Sequence, residues 1–267
     1  MSLAVAKSAI KSSEKLFQRV IGKFPDESYL NKEDIVIIGL FIGIIKRSQS
    51  LLVLCESKYY SGTDSILRSI FESKVYLDFI LKKHTKDRAK AYEYSLRIQH
   101  YKRIEWLQKQ DENVLLSKMN LKKESLESFK PGDHEEIKEE YFDLTKRYSK
   151  KEKADYGGSK WYKVGGNIDT FEGLCESLGQ DCLMEYFIAF KTWSEEVHGR
   201  DAKRFFEHAE GSLVIGGADY NDESIFKWIT KLSMDASELM ARKYNIPYEK
   251  AVRDTVYLAA QQKNINN

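Results

Sequence analysis

The stretch IVIIGLFIGII, Ile35 to Ile45, runs eleven residues without a charge between Asp34 and Lys46. It is too short to cross a bilayer, which takes about 20 apolar residues. It is therefore predicted to be the central core helix, apolar on all sides because other helices surround it. Asn31 stands at its N-cap, Asp34 takes the third helical position, and the helix is expected to run to about Lys58.

Helical periodicity governs almost all of the remaining chain. With only 3 prolines and 15 glycines in 267 residues, long helices meet few breakers. An amphipathic helix is predicted from about Leu3 to Gly22. A third follows the turn YYSGT, capped by Thr63 or Ser61, with Ile66, Leu67, Ile70, Phe71, Val75, Leu77 and Ile80 facing the core and an end near His84. A long polar helix from about Lys86 to Asp111 comes next. Residues 112–168 read as a charged helical insertion and loop, broken by KPGDH and closed by the glycine pairs of KADYGGSKWYKVGGN. A short helix is expected to Ser177, a longer one from about Gln180 to Val197, and an irregular segment near 199–221, where GSLVIGGADYN has room for a hairpin fragment. Final helices are predicted at about Asp222 to Lys243 and from Pro247 to Gln262. The expected fold class is all-α, an antiparallel helical bundle in a single domain spanning 1–267.

Composition excludes several classes. A hydrophobic share of 42% with 31% charged residues describes a globular chain and not a disordered one. The net charge of +2 gives no global basic field of the kind a non-specific nucleic-acid binder uses. Cys55, Cys175 and Cys182 form no CxxC pair, so buried thiols in a reducing cytoplasm are expected, without a disulfide frame or zinc site. The N-terminus is amphipathic, with no apolar core of the signal-peptide kind, and the predicted location is cytoplasmic, off the membrane.

Two places hold the chemistry-bearing residues. In DSILRSIFESKVYLDF, Arg68 and Glu72 are four apart on one helix face, Tyr76 continues the line, and the neighbours are largely apolar. A pair so placed loses hydration and is either a structural ion pair or the start of a site. In CLMEYFIAFKTWSEEVHGR, the residues Leu183, Tyr186, Phe187, Phe190, Trp193 and Val197 are expected to form the buried stripe. Ser194 and His198 share a face one turn apart, and Gly199 stops the helix. A histidine in the last turn meets the negative end of the helix dipole, which favours its charged form and also gives it a purely capping role.

The Arg68-S-I-F-Glu72 and Ser194-E-E-V-His198-Gly199 helices together resemble an uncharacterised family of helical bacterial proteins known only as a domain of unknown function, over roughly Leu51 to Arg200. The ending Val197-His198-Gly199 also resembles the HEPN superfamily, whose metal-independent ribonucleases carry an arginine, four to six residues, then a histidine. This chain has no arginine there; Lys191 is separated from His198 by six residues, and Arg200 lies after it. The HEPN resemblance implies an RNA-cleaving or RNA-binding effector of phage-defence or toxin type. His198, Arg68 and Glu72 would then be the catalytic set. Lys191, Ser194, Tyr76, Tyr60 and Arg200 would contact substrate.

Two other classes stay open. One is a non-catalytic interaction or ligand-sensing module whose polar residues fix a buried network. The other is a di-iron-like enzyme, since Glu195-x-x-His198 has the form of a carboxylate-bridged ligand motif, with Glu72 and Asp64 as further donors; the second such motif is missing. No cofactor and no metal ligand are expected on the leading reading, and the expected partners are RNA and a second copy of the chain.

Overall fold

The computed structural model describes residues 1–26, 29–108, 118, 134–147, 160–165, 168–197, 206–209, 212–215 and 222–247. The chain divides into two compact units, one of Met1–Lys82 with Cys175–Asn267 and one of Lys83–Leu174. The fold is all-α with one short hairpin.

In the first unit α1 (Leu3–Ile21), α2 (Lys32–Glu56), α3 (Thr63–Lys82) and α9 (Asp222–Lys243) pack on one another. Leucines and isoleucines at helical spacing fill the centre: Leu16, Ile37, Ile44, Leu51, Leu67, Ile70, Leu77, Ile80, Ile229 and Leu232 are all buried. Small polar residues set how closely α9 approaches. Ser13 Oγ lies 2.8 Å from Ser237 Oγ, and Ser48 Oγ lies 3.3 Å from Ser233 Oγ. Each hydroxyl finds a partner inside the core, where an unpaired one would destabilise it.

The apolar run of α2 departs from expectation. Ile37, Ile38, Leu40, Phe41, Ile44 and Ile45 are buried, yet Ile35, Gly39 and Val53 are exposed, so one face of the helix is open. The neighbours of α2 cover part of its circumference and leave that face bare. By length and composition the 25-residue helix is apolar enough to cross a membrane. Its start is also built differently from an ordinary cap. Asn31 holds the cap position but donates from Nδ2 to Asp34 Oδ2 at 3.4 Å instead of accepting from the backbone. Tyr244, just past α9, donates to Asp34 Oδ1 at 2.8 Å. Burial, with the Asp34 carboxylate beside it, pushes the Tyr244 hydroxyl far above its ordinary range, so it stays a donor. Tyr244→Phe leaves a buried carboxylate oxygen short of a donor and should lower stability by about 1–3 kcal/mol in a denaturant titration.

α3 begins at Thr63, the later of the two expected caps. Gly62, at φ 85, turns the chain, and Thr63 Oγ1 donates back to Tyr60 O at 2.8 Å. The left-handed residues Lys58 and His84 lie just past α2 and α3.

The second unit holds α4 (Thr85–Gln108) packed on α5 (His134–Lys146), with a 3-10 turn at Trp161–Lys163 against α4. The expected insertion 112–168 falls within this unit, and much of it lies outside the described residues. α4 buries Arg88, Ala91, Tyr94, Ile98, Tyr101 and Ile104 at three- and four-residue spacing. Arg88 is fully buried and donates from Nε to Val164 O and from Nη2 to Gly165 O, both at 3.2 Å. Gly165 has φ 78, and a Cβ there would lie 2.9 Å from His84 Cδ2 and 3.1 Å from Arg88 Nη2. Glycine is thus required for the loop to close over the guanidinium.

Ahead of α9 in the chain, β1 (Phe206–Ala209) pairs antiparallel with β2 (Ser212–Ile215), Phe206 opposite Ile215. The segment read as irregular near 199–221 therefore contains a hairpin. The helix predicted from Pro247 to Gln262 lies outside the described residues beyond Pro247.

Candidate functional site

The site starts on α3. One flank of this helix buries Leu67, Ile70, Phe71, Val75 and Leu77, while Arg68, Glu72 and Tyr76 form a half-buried line one turn apart. Arg68 Nε donates to Glu72 Oε1 at 3.1 Å. With side chains 22% and 31% exposed, the pair is neither a free surface contact nor a core ion pair.

The partner of α3 is the run Gln180–Val197, which is not one uniform helix. α7 (Gln180–Glu185) passes through a π-helical turn, Tyr186–Phe190, into α8 (Lys191–Val197). A π turn widens the helix and shifts the side chains after it around the axis. Tyr186, Phe190 and Trp193 are buried as expected, but Phe187 is 51% and Ile188 66% exposed. Phe187 therefore leaves the predicted buried stripe, off the row that Tyr186, Phe190 and Trp193 form at helical spacing. Phe190 stacks on Tyr186 with ring centroids 5.3 Å apart and packs on Phe71 at 5.8 Å. Its face lies under the Arg68 guanidinium, 4.8 Å from centroid to Cζ. Trp193, next along, sits 6.3 Å from Phe71 and 5.2 Å from Trp228.

Arg68 is thus held on two sides, by a carboxylate at Nε and an aromatic face beneath. Its Nη1 is buried and has no hydrogen-bond partner among the described residues. An ionised donor in that state is costly unless something accepts from it.

The other expected site residues scatter. Lys191 is exposed with its Nζ 5.0 Å above the Tyr186 ring. Ser194 donates to Phe190 O at 2.6 Å, so its proton is used within its own helix. Tyr60 is hydrogen-bonded to Asp222, whose Oδ2 also takes Lys58 Nζ at 2.7 Å; this tyrosine belongs to the junction of the α2–α3 turn with α9. Tyr76 is half-buried at the far end of the Arg68–Glu72 line. His198 and Arg200 lie outside the described residues, as does the Glu195 side chain; α8 ends at Val197, one residue before the histidine. Among the described residues no cluster of three or more His, Cys, Asp and Glu side chains is arranged to hold a metal ion.

Sequence reading passed over a second polar cluster. Lys74 is buried, with Nζ 3.5 Å from Asp78 Oδ2. Lys231 Nζ bridges Glu185 Oε1 and Asp235 Oδ2, each at 2.6 Å. Cys175 and Cys182 are hydrogen-bonded to each other, and Lys74 and Glu185 act electrostatically on both. Lys74 is four residues after Ile70 and seven after Leu67, the register of the core face, and that spacing was the available signal.

These features define an all-α protein in which a half-buried arginine is clamped between a carboxylate and an aromatic π turn. The chain belongs to a family of unknown function (DUF5677), whose model matches residues 34–213 and so takes in both α3 and α8. Neither a curated protein nor a solved structure matches it.

Proposed function

We propose that the protein is a HEPN-like, RNA-cleaving effector that holds an RNA phosphate at Arg68 and uses His198 for proton transfer. The observation that carries this reading is the clamped Arg68 guanidinium with its unpartnered Nη1. Glu72 orients the group and Phe190 holds its plane, a prepared arrangement for an anionic oxygen. Lys191 follows Phe190 directly and adds an exposed cation on the same helix run.

In this mechanism His198 removes the proton of a ribose 2′-hydroxyl. The 2′-oxygen attacks the adjacent phosphorus, the bond to the 5′-oxygen breaks, the departing oxygen takes a proton from water, and a 2′,3′-cyclic phosphate and a 5′-hydroxyl result. Arg68 stabilises the charge that builds on the non-bridging oxygens. Phage defence or toxin action is the setting this activity fits.

A second reading, an interaction module without catalysis, draws support from Phe187 and Ile188, which stand together with exposed Met184 on one short apolar run. Titration of labelled single-stranded RNA by fluorescence polarisation separates the two. Arg68→Ala should weaken binding about 10-fold or more, a loss of about 1.4 kcal/mol, and Arg68→Lys should restore little because lysine lacks the planar fork. Unchanged RNA affinity in a folded Arg68→Ala protein would leave the module as the better account.

A further inference from the structure

Three helices of the first unit, α3, α6 (Phe171–Leu178) and α9, end around one cleft of about 470 Å³. That volume lies in the range of small-molecule sites, about 300–1,000 Å³. Each helix brings a half-buried leucine to the lining: Leu81 from α3, Leu178 from α6 and Leu239 from α9. Together they offer an apolar surface to whatever enters.

The charged part of the lining is uneven. Lys82, Arg242 and Lys243 stand there, each exposed. Among the described residues of the lining, Asp78 is the one acid, and it is answered from the core by Lys74, whose Nζ lies 3.5 Å from Asp78 Oδ2. Cations in a last turn are ordinary partners of a helix's carbonyl end. Lys82 does part of that work, since its Nζ donates to Ser177 O at 2.7 Å and so bridges the ends of α3 and α6. Arg242 Nη2 donates to Glu238 Oε1, one turn back, at 3.1 Å. Both groups keep donors to spare, because an ammonium has three N–H and a guanidinium five.

This cleft is separate from the Arg68 clamp. Arg68 and Lys82 are fourteen residues apart on α3, which at about 1.5 Å per residue sets them roughly 21 Å apart along the helix.

We propose that the cleft binds a small organic phosphate monoester. Its phosphate sits against Lys82, Arg242 and Lys243, and its organic body lies on Leu81, Leu178 and Leu239. A monoester offers three acceptor oxygens and about two negative charges, enough to engage all three cations. A carboxylate has two oxygens and one charge, and would leave part of the cluster unanswered. The planar fork of Arg242 suits two phosphate oxygens, while the lysines act as point charges. Nothing in this site draws on RNA cleavage.

The test titrates the isotope-labelled, full-length protein with naphthyl phosphate and follows its backbone amide resonances. Saturable shifts are expected at residues 78–82, 178 and 239–243. Lys82→Glu and Arg242→Glu, both at exposed positions, should each raise the dissociation constant about 10-fold or more. Arg68→Ala, which the RNA reading requires to lose RNA, should bind naphthyl phosphate as the parent chain does. Inorganic phosphate should bind more weakly, and naphthol should not saturate. The proposal is overturned if no saturable shift appears at millimolar naphthyl phosphate, or if both charge reversals leave the affinity unchanged. It is equally overturned if naphthol or inorganic phosphate binds as tightly, or if Arg68→Ala abolishes the shifts.

Discussion

Arg88→Ala is expected to lower the stability of the second unit by about 3 kcal/mol, the sum of two charge-assisted hydrogen bonds of about 1.5 kcal/mol each. The reason lies in where the guanidinium sits. It is fully buried on α4 and donates to Val164 O and Gly165 O, carbonyls of the loop after the 3-10 turn. Truncation removes both donors, leaves a void in the core register of α4 and frees a loop that closes over Arg88 only because Gly165 lacks a Cβ. Amide exchange should accelerate across the described parts of 83–174, with the 160–165 segment affected first. Arg88→Lys should rescue little, since one ammonium cannot reproduce the two-pronged geometry. Wild-type exchange rates in Arg88→Ala would show that the loop is held by other contacts.

Arg88 also marks the boundary of what the sequence made legible. The long helices were readable because apolar residues recur at three- and four-residue intervals, and α9 begins and ends where the spacing and its flanks predicted, at Asp222 and Lys243. Charged residues in that same register were harder to read. Arg88 precedes Ala91, Tyr94, Ile98, Tyr101 and Ile104 in one buried row, and Lys74 follows Leu67 and Ile70 in another. Spacing puts both on the core face; Lys74 meets Asp78 one turn on, but the carbonyls that receive Arg88 come from a segment distant in the chain. Such partners have no local signature.

The π turn shows a different limit. From Gln180 to Val197 the letters suit one continuous helix, and its ends were read correctly. Within it, i→i+5 bonding replaces i→i+4 without any change in composition, so the π turn has no signature in the letters. Arg68, Glu72 and Phe190 are accordingly a half-legible site. The i,i+4 spacing reveals the ion pair, whereas which core ring lies beneath the guanidinium is set by how α3 packs on the later helix run. On α2, hydrophobicity marked a core helix but not which side its neighbours would leave open.

The second large effect concerns catalysis. His198→Ala should reduce RNA cleavage by about 100-fold or more, because removing a positioned proton-transfer group forfeits a factor of about 10² to 10⁴. The substitution sits one residue beyond α8, past Phe190 and Trp193, which pack on Phe71. Melting should therefore stay close to that of the parent chain, separating loss of chemistry from loss of fold. Arg68→Ala should lose both affinity and rate, whereas His198→Ala should lose rate with affinity largely kept.

The most direct measurement incubates the purified chain with labelled single-stranded RNA in EDTA, beside His198→Ala, and analyses the termini of any products. The account predicts cleavage by the parent chain to 2′,3′-cyclic phosphate and 5′-hydroxyl ends, and its loss in a folded His198→Ala. Intact RNA with the parent chain, or equal cleavage by His198→Ala, would contradict it.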